Sequence, residues 1–222
     1  MIKFTKVRDV KSPNRGTKES AGIDFFIPFA TSDFIYDFVK KNSNAKYKIT
    51  CHASYVDGHE FYNTIDVYPS DTFDEVSLYD VLMSEVVSRF NYLSDEDLQN
   101  VKTEFMISIA PQHRILVPSG IKVWIEKKDS ALIATNKSGI ATKKGLVVGA
   151  TTIDSDYTGE VHLSVVNTTD DYVNVVCGEK LIQFIHTPVI LSSLEEVDND
   201  TYNNISTETD RGAGGFGSTG LK

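Results

Sequence analysis

The sequence predicts an all-β sandwich, barrel or jelly roll interrupted by one α+β insertion. Three observations carry this. From Glu104 onward, short segments rich in β-branched residues recur between Gly, Pro, Asn and Asp at regular spacing. The same texture fills residues 2–30. Between these two stretches, residues 31–103 change to a hairpin pattern followed by helical periodicity.

Taken in order, Ile2, Phe4 and Val7 suit a first strand and AGIDFFIP a second. Ser32 to Lys40 reads as a helix. KYKITCHASYV and HEFYNTIDVY flank Asp57-Gly58, a dipeptide suited to a type I′ hairpin turn. In TFDEVSLYDVLMSEVVSRFNYL, residues Phe73, Val76, Leu82, Val86, Phe90 and Leu93 fall at helical spacing, and Thr72 with Glu75 forms a capping box. Ser94 opens a further short helix in SDEDLQNV. The later strands are EFMISIAP, HRILVP, GIKVWIE, ALIATN, GLVVGA, EVHLSVVN, YVNVVC and KLIQFIHTPVI. Leu191 to Asp210 is acidic and polar, the composition of a tether. The expected organisation is a β-core of residues 1–30 and 104–190, an α+β subdomain of 31–103 projecting from it, and a flexible arm of 191–222.

Composition narrows the chemistry. The 222-residue chain carries a formal net charge of −9, which argues against sequence-independent binding of a nucleic-acid backbone. An anionic ligand therefore needs backbone N–H groups, local cations or a metal ion. The sequence lacks a run of about 18 apolar residues, so no membrane span is expected. MIKFTKVRDVKSPNRG lacks an apolar signal core, and a cytoplasmic location is expected. Two cysteines without a CxxC pair disfavour structural zinc and a disulfide framework.

Four segments carry groups suited to chemistry. RGAGGFGSTG combines glycines that admit a phosphate to the backbone, Ser and Thr hydroxyls, an arginine fork and one aromatic face. Read alone, such a terminus is more often a disordered end. In TIDSDYTGE, Asp154 and Asp156 flank a turn followed by an aromatic and a glycine, which equally suits an ordinary β-turn. ATNKSGIATKKG holds a Lys-Ser-Gly turn. AGIDFF sets Asp24 in an apolar strand, where an acidic residue usually has a partner.

Together, AGIDFF, NKSGIA, TTIDSDYTGEV, GEKLIQF and RGAGGFGSTG occur in an order that resembles the trimeric all-β dUTP pyrophosphatase (dUTPase) family. The resemblance spans the chain except roughly residues 31–103. It implies a jelly-roll or β-clip barrel, a homotrimer with active sites shared between subunits, and Mg²⁺-assisted hydrolysis of dUTP to dUMP and pyrophosphate. Asp154 matches the aspartate that activates the attacking water. Tyr157 matches the aromatic under deoxyribose. Uracil is read by the backbone of a β-hairpin, near Val148, Thr151, Thr152, Ile153, Asp154 and His162, with the His162 imidazole itself a surface group. Lys137, Ser138, Gly139 and Gln183 match phosphate contacts, and Asp24 an aspartate tied through water to the Mg²⁺ shell. In the tail, Phe216 matches the ring stacked on uracil, while Arg211, Gly217, Ser218 and Thr219 close over the terminal phosphates as a lid.

The sequence departs from the family pattern at Lys137, where arginine is usual, at Thr158, where Arg or Gln is common, and in the long insertion. The insertion suits either passive elaboration or a docking surface for another protein or for the neighbouring subunit. Two rival functions are set against dUTP hydrolysis. Deamination of dCTP on the same fold needs a glutamate where Ser164 stands. A non-catalytic or moonlighting regulatory protein would tolerate loss of Asp154, Tyr157 or the tail, and all three are present.

Overall fold

The structure is a computed structural model that describes residues 1–68 and 78–206. The chain divides into two compact units, Met1–Val189 and Ile190–Lys222.

The first unit holds three four-stranded sheets, with antiparallel pairing throughout the described residues. One is ordered β1 (Ile2–Lys6), β6 (Arg114–Ile125), β10 (Glu160–Asn167) and β8 (Leu146–Val148). A second runs β2 (Gly22–Phe26), β12 (Lys180–Pro188), β7 (Ser130–Thr135) and β9 (Thr152–Ile153). The third runs β11 (Val173–Val176), β5 (Lys102–Ile109), β3 (Tyr47–Ser54) and β4 (Glu60–Val67).

The strands form where the sequence alternates apolar and polar residues. In β6, Ile121, Val123 and Ile125 are buried while Lys122 and Trp124 face outward, as a pleated strand covering a core requires. Each such buried side chain contributes about 1.5–3 kcal/mol of apolar transfer. Phe25 and Phe184 meet edge to face at 4.7 Å, joining β2 to β12 inside the core. The segments HRILVP and GIKVWIE, read as two strands, are one continuous strand. Gly120 lets the backbone pass through a left-handed conformation (φ 72°) without ending it.

Residues 31–103 supply the hairpin and helices expected of an α+β element, but the segment does not stand off the core. Strand β3 pairs with β4 on one side and with β5 on the other along all its residues from Tyr47 to Ser54. Helix α1 (Ser32–Lys41) starts at Thr31, whose hydroxyl accepts from the Phe34 N–H at 3.2 Å. It buries Phe34, Ile35 and Phe38, and the Phe38 ring packs on Tyr47 at 5.0 Å. Helix α2 (Leu78–Arg89) buries Leu78, Leu82 and Val86. The expected capping box and the apolar positions Phe73 and Val76 lie outside the described residues. Helix α3 (Asp95–Leu98) begins where Ser94 accepts from the Asp97 N–H at 3.1 Å, as its sequence predicts.

The turn between β3 and β4 differs from the expected type I′. Gly58 has φ 89°, whereas Asp57 is not among the residues with positive φ. The Gly58 N–H donates to Tyr55 O and the Tyr55 N–H to His59 O. This is a three-residue connection, an ordinary turn closed by one left-handed glycine, rather than a turn with two left-handed residues.

In the second unit, α5 (Asn199–Ser206) occupies part of the stretch read as a tether. Asp198 accepts from the Thr201 N–H at 2.8 Å at its start, a capping signal hidden in the acidic composition.

Candidate functional site

Three strands bring one group of polar residues into a row. Asp24 on β2 lies opposite Gln183 on β12, and Gln183 lies opposite Thr135 on β7. Asp24 is 4% exposed. Lys137 Nζ donates to its Oδ1 at 2.5 Å and Lys180 Nζ to its Oδ2 at 2.7 Å. Burial pushes this carboxyl upward, but Lys137 and Lys180 outweigh it and hold Asp24 below the ordinary carboxylate range.

Gln183 Nε2 donates to the Asn136 carbonyl at 3.0 Å. The Asn136 side chain in turn accepts from the Val148 N–H at 2.7 Å, tying the end of β8 to the Gln183 row. Gly22 makes room for this arrangement, because a Cβ there would run into the Gln183 side chain. Directly after Lys137, Ser138 and Gly139 begin α4 (Ser138–Lys144), so the expected Lys-Ser-Gly turn continues as a short helix that closes on Gly145 (φ 65°). Beside the row lies an open depression of about 480 Å³, lined among others by Lys11, Lys137, Lys144 and Lys180, with Glu179 as its acidic member, paired to Lys144 at 3.6 Å. It is a locally cationic surface on an acidic chain.

The segment expected as a uracil-reading hairpin is an arch between two sheets. Strand β8 pairs with β10, whereas β9 pairs with β7. Residues Gly149 to Thr151 bridge them; the Gly149 N–H donates to Ser164 O at 3.0 Å, and Thr151 O accepts from the Ala134 N–H at 2.6 Å. Ser164 Oγ lies against Gly149, where a Cβ would collide with it.

Asp154 follows β9 on an exposed turn in which the Tyr157 N–H donates to Asp154 O at 3.2 Å. Tyr157 is 41% exposed, and its hydroxyl donates to Glu160 O at 2.8 Å. Gly159 lets the ring fold over the turn, since a Cβ there would meet the phenol. The loop after β6 clasps the same turn. Lys128 Nζ donates to Ser155 O at 3.0 Å, and Ser155 Oγ donates to Lys128 O at 2.9 Å. His162 is not the surface group its sequence suggests. Its Nε2 is buried without a hydrogen-bond partner among the described residues, and burial, reinforced by the nearby Lys41, pushes its imidazole below the ordinary value.

The structure therefore gathers Asp24, Lys137, Gln183 and Val148, with Ser138 and Gly139 adjoining, and sets Asp154 and Tyr157 apart from them. Ile153 faces Leu132 in register, which puts Asp154 level with Ala131. Asp24 is level with Thr135, three strands away across the sheet. At ordinary strand rise and spacing this separates Asp154 from Asp24 by about 20 Å within one chain. Arg211, Phe216, Gly217, Ser218 and Thr219 lie outside the described residues. Sequence reasoning missed Asn136 and Lys180, although both sit inside quoted motifs. The signal for Lys180 was available, since a buried aspartate calls for cationic partners.

No group of three or more His, Cys, Asp or Glu side chains able to hold a metal occurs among the described residues. Each Asp24 oxygen already accepts from one lysine, which leaves lone pairs for a water but no free carboxylate. These donors fit a Mg²⁺ ion carried by phosphate oxygens and water, with Asp24 touching its outer shell, rather than an ion caged by protein.

The model of the dUTPase family matches residues 99–220. Deoxyuridine 5′-triphosphate nucleotidohydrolase of Legionella pneumophila (strain Paris) is 37% identical over 116 residues, 51% of this chain and 72% of that protein. The enzyme of the same name from Acinetobacter baylyi is 37% identical over 118 residues, 52% of this chain and 75% of that protein. Among solved structures, the Staphylococcus bacteriophage 80alpha dUTPase with dUPNHPP aligns over 100% of this chain and 99% of its own, at TM-score 0.56 and 15% identity, a likeness of fold. With the family model covering more than half its length and these relatives above 30% identity, the chain belongs to the dUTPase family.

Proposed function

We propose that the protein hydrolyses dUTP to dUMP and pyrophosphate at sites assembled between copies of the chain in a homotrimer. The carrying observation is the separation within one protomer. The cationic row around Asp24 can take phosphates, and the Asp154–Tyr157 turn can take sugar and attacking water, yet they stand about 20 Å apart by strand register. One triphosphate reaches both if the row comes from one subunit and the turn from its neighbour.

In this reading Asp154 accepts a proton from the water that attacks the α-phosphorus in line with the leaving pyrophosphate. Its exposure on the turn suits a base that meets solvent before substrate binds. Tyr157 lies under deoxyribose and disfavours a 2′-hydroxyl. Main-chain groups of the arch from Val148 to Asp154, with His162 beside them, face the uracil. Lys137, Ser138, Gly139 and Gln183 hold phosphate oxygens, and Lys180 adds a second cation to the row. Lys137 brings a point charge where arginine would bring a two-pronged fork, so orientation of the phosphates depends more on Gln183 and the backbone. A bound Mg²⁺ would neutralise phosphate charge, with Asp24 accepting from one of its waters. Arg211, Phe216, Gly217, Ser218 and Thr219 close over the bound nucleotide.

The dCTP-deaminase reading lacks its glutamate, and Ser164 packs its hydroxyl against Gly149 instead. Pyrophosphate release from dUTP, dCTP, dTTP and UTP tests the assignment. Release from dUTP far ahead of the other three is expected; ammonia from dCTP, or equal rates on all four, would contradict it.

A further inference from the structure

The insertion touches the third motif through a chain of charged side chains. Asp37 is on the insertion's helix α1 and Glu160 is the first residue of β10. Arg8, just after β1, lies between them. Arg8 Nε donates to Glu160 Oε1 at 2.9 Å and Nη2 to Glu160 Oε2 at 3.1 Å, a two-pronged fork. The same Nη2 donates to Asp37 Oδ2. The Arg8 and Glu160 side chains are each 13% exposed, and Asp37 is 37% exposed.

Both strands around Glu160 are irregular, and both irregularities serve this contact. The register of β10 on β6 shifts between Glu160 and His162, a bulge. On the facing strand, Gly120 is left-handed, and its N–H donates to Glu160 Oε1 at 2.7 Å. Any Cβ at Gly120 would press on the Arg8 and Val10 side chains. Bulges of this kind re-aim a side chain. Here the bulge turns the Glu160 carboxylate onto Arg8, while its carbonyl receives the Tyr157 hydroxyl. One residue thus connects the Arg8 fork to the ring proposed to lie under the sugar.

We infer that helix α1 of the insertion positions Tyr157, through Asp37, Arg8 and Glu160, and thereby sharpens discrimination of deoxyribose from ribose. The inference rests on the proposed contact of Tyr157 with the sugar. Glue alone would not need this arrangement, because a buried ion pair stabilises no better than apolar packing of the same volume. A planar fork held on two sides fixes an orientation instead. Asp37 supplies the second side. Without it the guanidinium can tilt about Glu160, and Tyr157 tilts with the carbonyl that holds it. Displacements well under an ångström at such a contact alter rate and selectivity.

The test compares kcat/KM for dUTP and UTP in the full-length protein. Asp37→Ala leaves the Arg8–Glu160 fork in place, so the fold is retained, and Asp37→Asn keeps an acceptor without its charge. The dUTP-to-UTP ratio is expected to fall roughly threefold to tenfold in Asp37→Ala, less in Asp37→Asn, and to recover in Asp37→Glu. Tyr157→Phe, which keeps the ring and loses the link to Glu160, should lower the ratio similarly. A role in stability alone would lower the melting temperature and leave the ratio unmoved. An unchanged ratio in Asp37→Ala, with a changed one in Tyr157→Ala, overturns the inference alone. An unchanged ratio in Tyr157→Ala removes the sugar contact and the inference with it.

Discussion

Replacing Lys137 by Met takes away one of the two ammonium groups on Asp24. An ion pair broken so that a buried charge stays uncompensated costs about 3–5 kcal/mol. Asp24 is that buried, its side chain being 6% exposed, but Lys180 still holds it at 2.7 Å. The expected loss in Lys137→Met is therefore smaller, about 1–2 kcal/mol, and Lys180→Met should lose a similar amount. The double variant strands the carboxylate and should lose about 3–5 kcal/mol, more than the two single losses combined. Urea denaturation followed by Trp124 fluorescence, at fixed protein concentration, measures each. The pH dependence has a definite sign. Asp24 is held below its ordinary value, so its contribution is present above about pH 4 and is lost as pH falls through the folded value. Removing either lysine raises that folded value toward the unfolded one, so the acid-dependent loss of stability should shrink in the variants and be complete at a higher pH. Equal unfolding midpoints in wild type and Lys137→Met, or strictly additive losses, would refute the shared-carboxylate account.

Two further outcomes are expected. Gly22→Ala should push the Gln183 amide away from Asn136 and raise KM for dUTP by roughly fivefold to tenfold, with kcat less affected; steady-state kinetics decides, and an unchanged KM would remove Gln183 from the phosphate contacts. Deleting residues 211–222 should lower turnover by about two orders of magnitude while the melting temperature stays within a few degrees. An undiminished rate would end the lid reading.

The strands were legible because their signal is local. Alternation at Ile121, Val123 and Ile125 is visible without any knowledge of partners. Caps were legible only where their chemistry is undiluted. Ser94 stands out before its helix, whereas Asp198 is hidden among other acidic residues. The Asp57-Gly58 turn departs from type I′ because the dipeptide suits more than one loop length, and strand register decides between them. At the site, the buried Asp24 announced a need for partners, but its choice of Lys137 and Lys180 depends on β2, the end of β7 and β12 converging across 156 residues of chain, from 24 to 180. Asn136 and the Arg8–Glu160 fork were invisible for the same reason. Their roles arise from pairing between distant strands, and nothing in their own neighbourhoods marks them.

The claim that two subunits complete each site can be tested by mixing inactive variants. Asp154→Asn retains the cationic row and Asp24→Asn retains the catalytic turn, and each alone should be nearly inactive. After equimolar subunit exchange, a site has one chance in two of an intact row and one in two of an intact turn. Recovery of about a quarter of wild-type dUTP hydrolysis is therefore predicted. Failure to recover activity, with exchange verified by mass spectrometry of the mixed oligomers, would contradict the account.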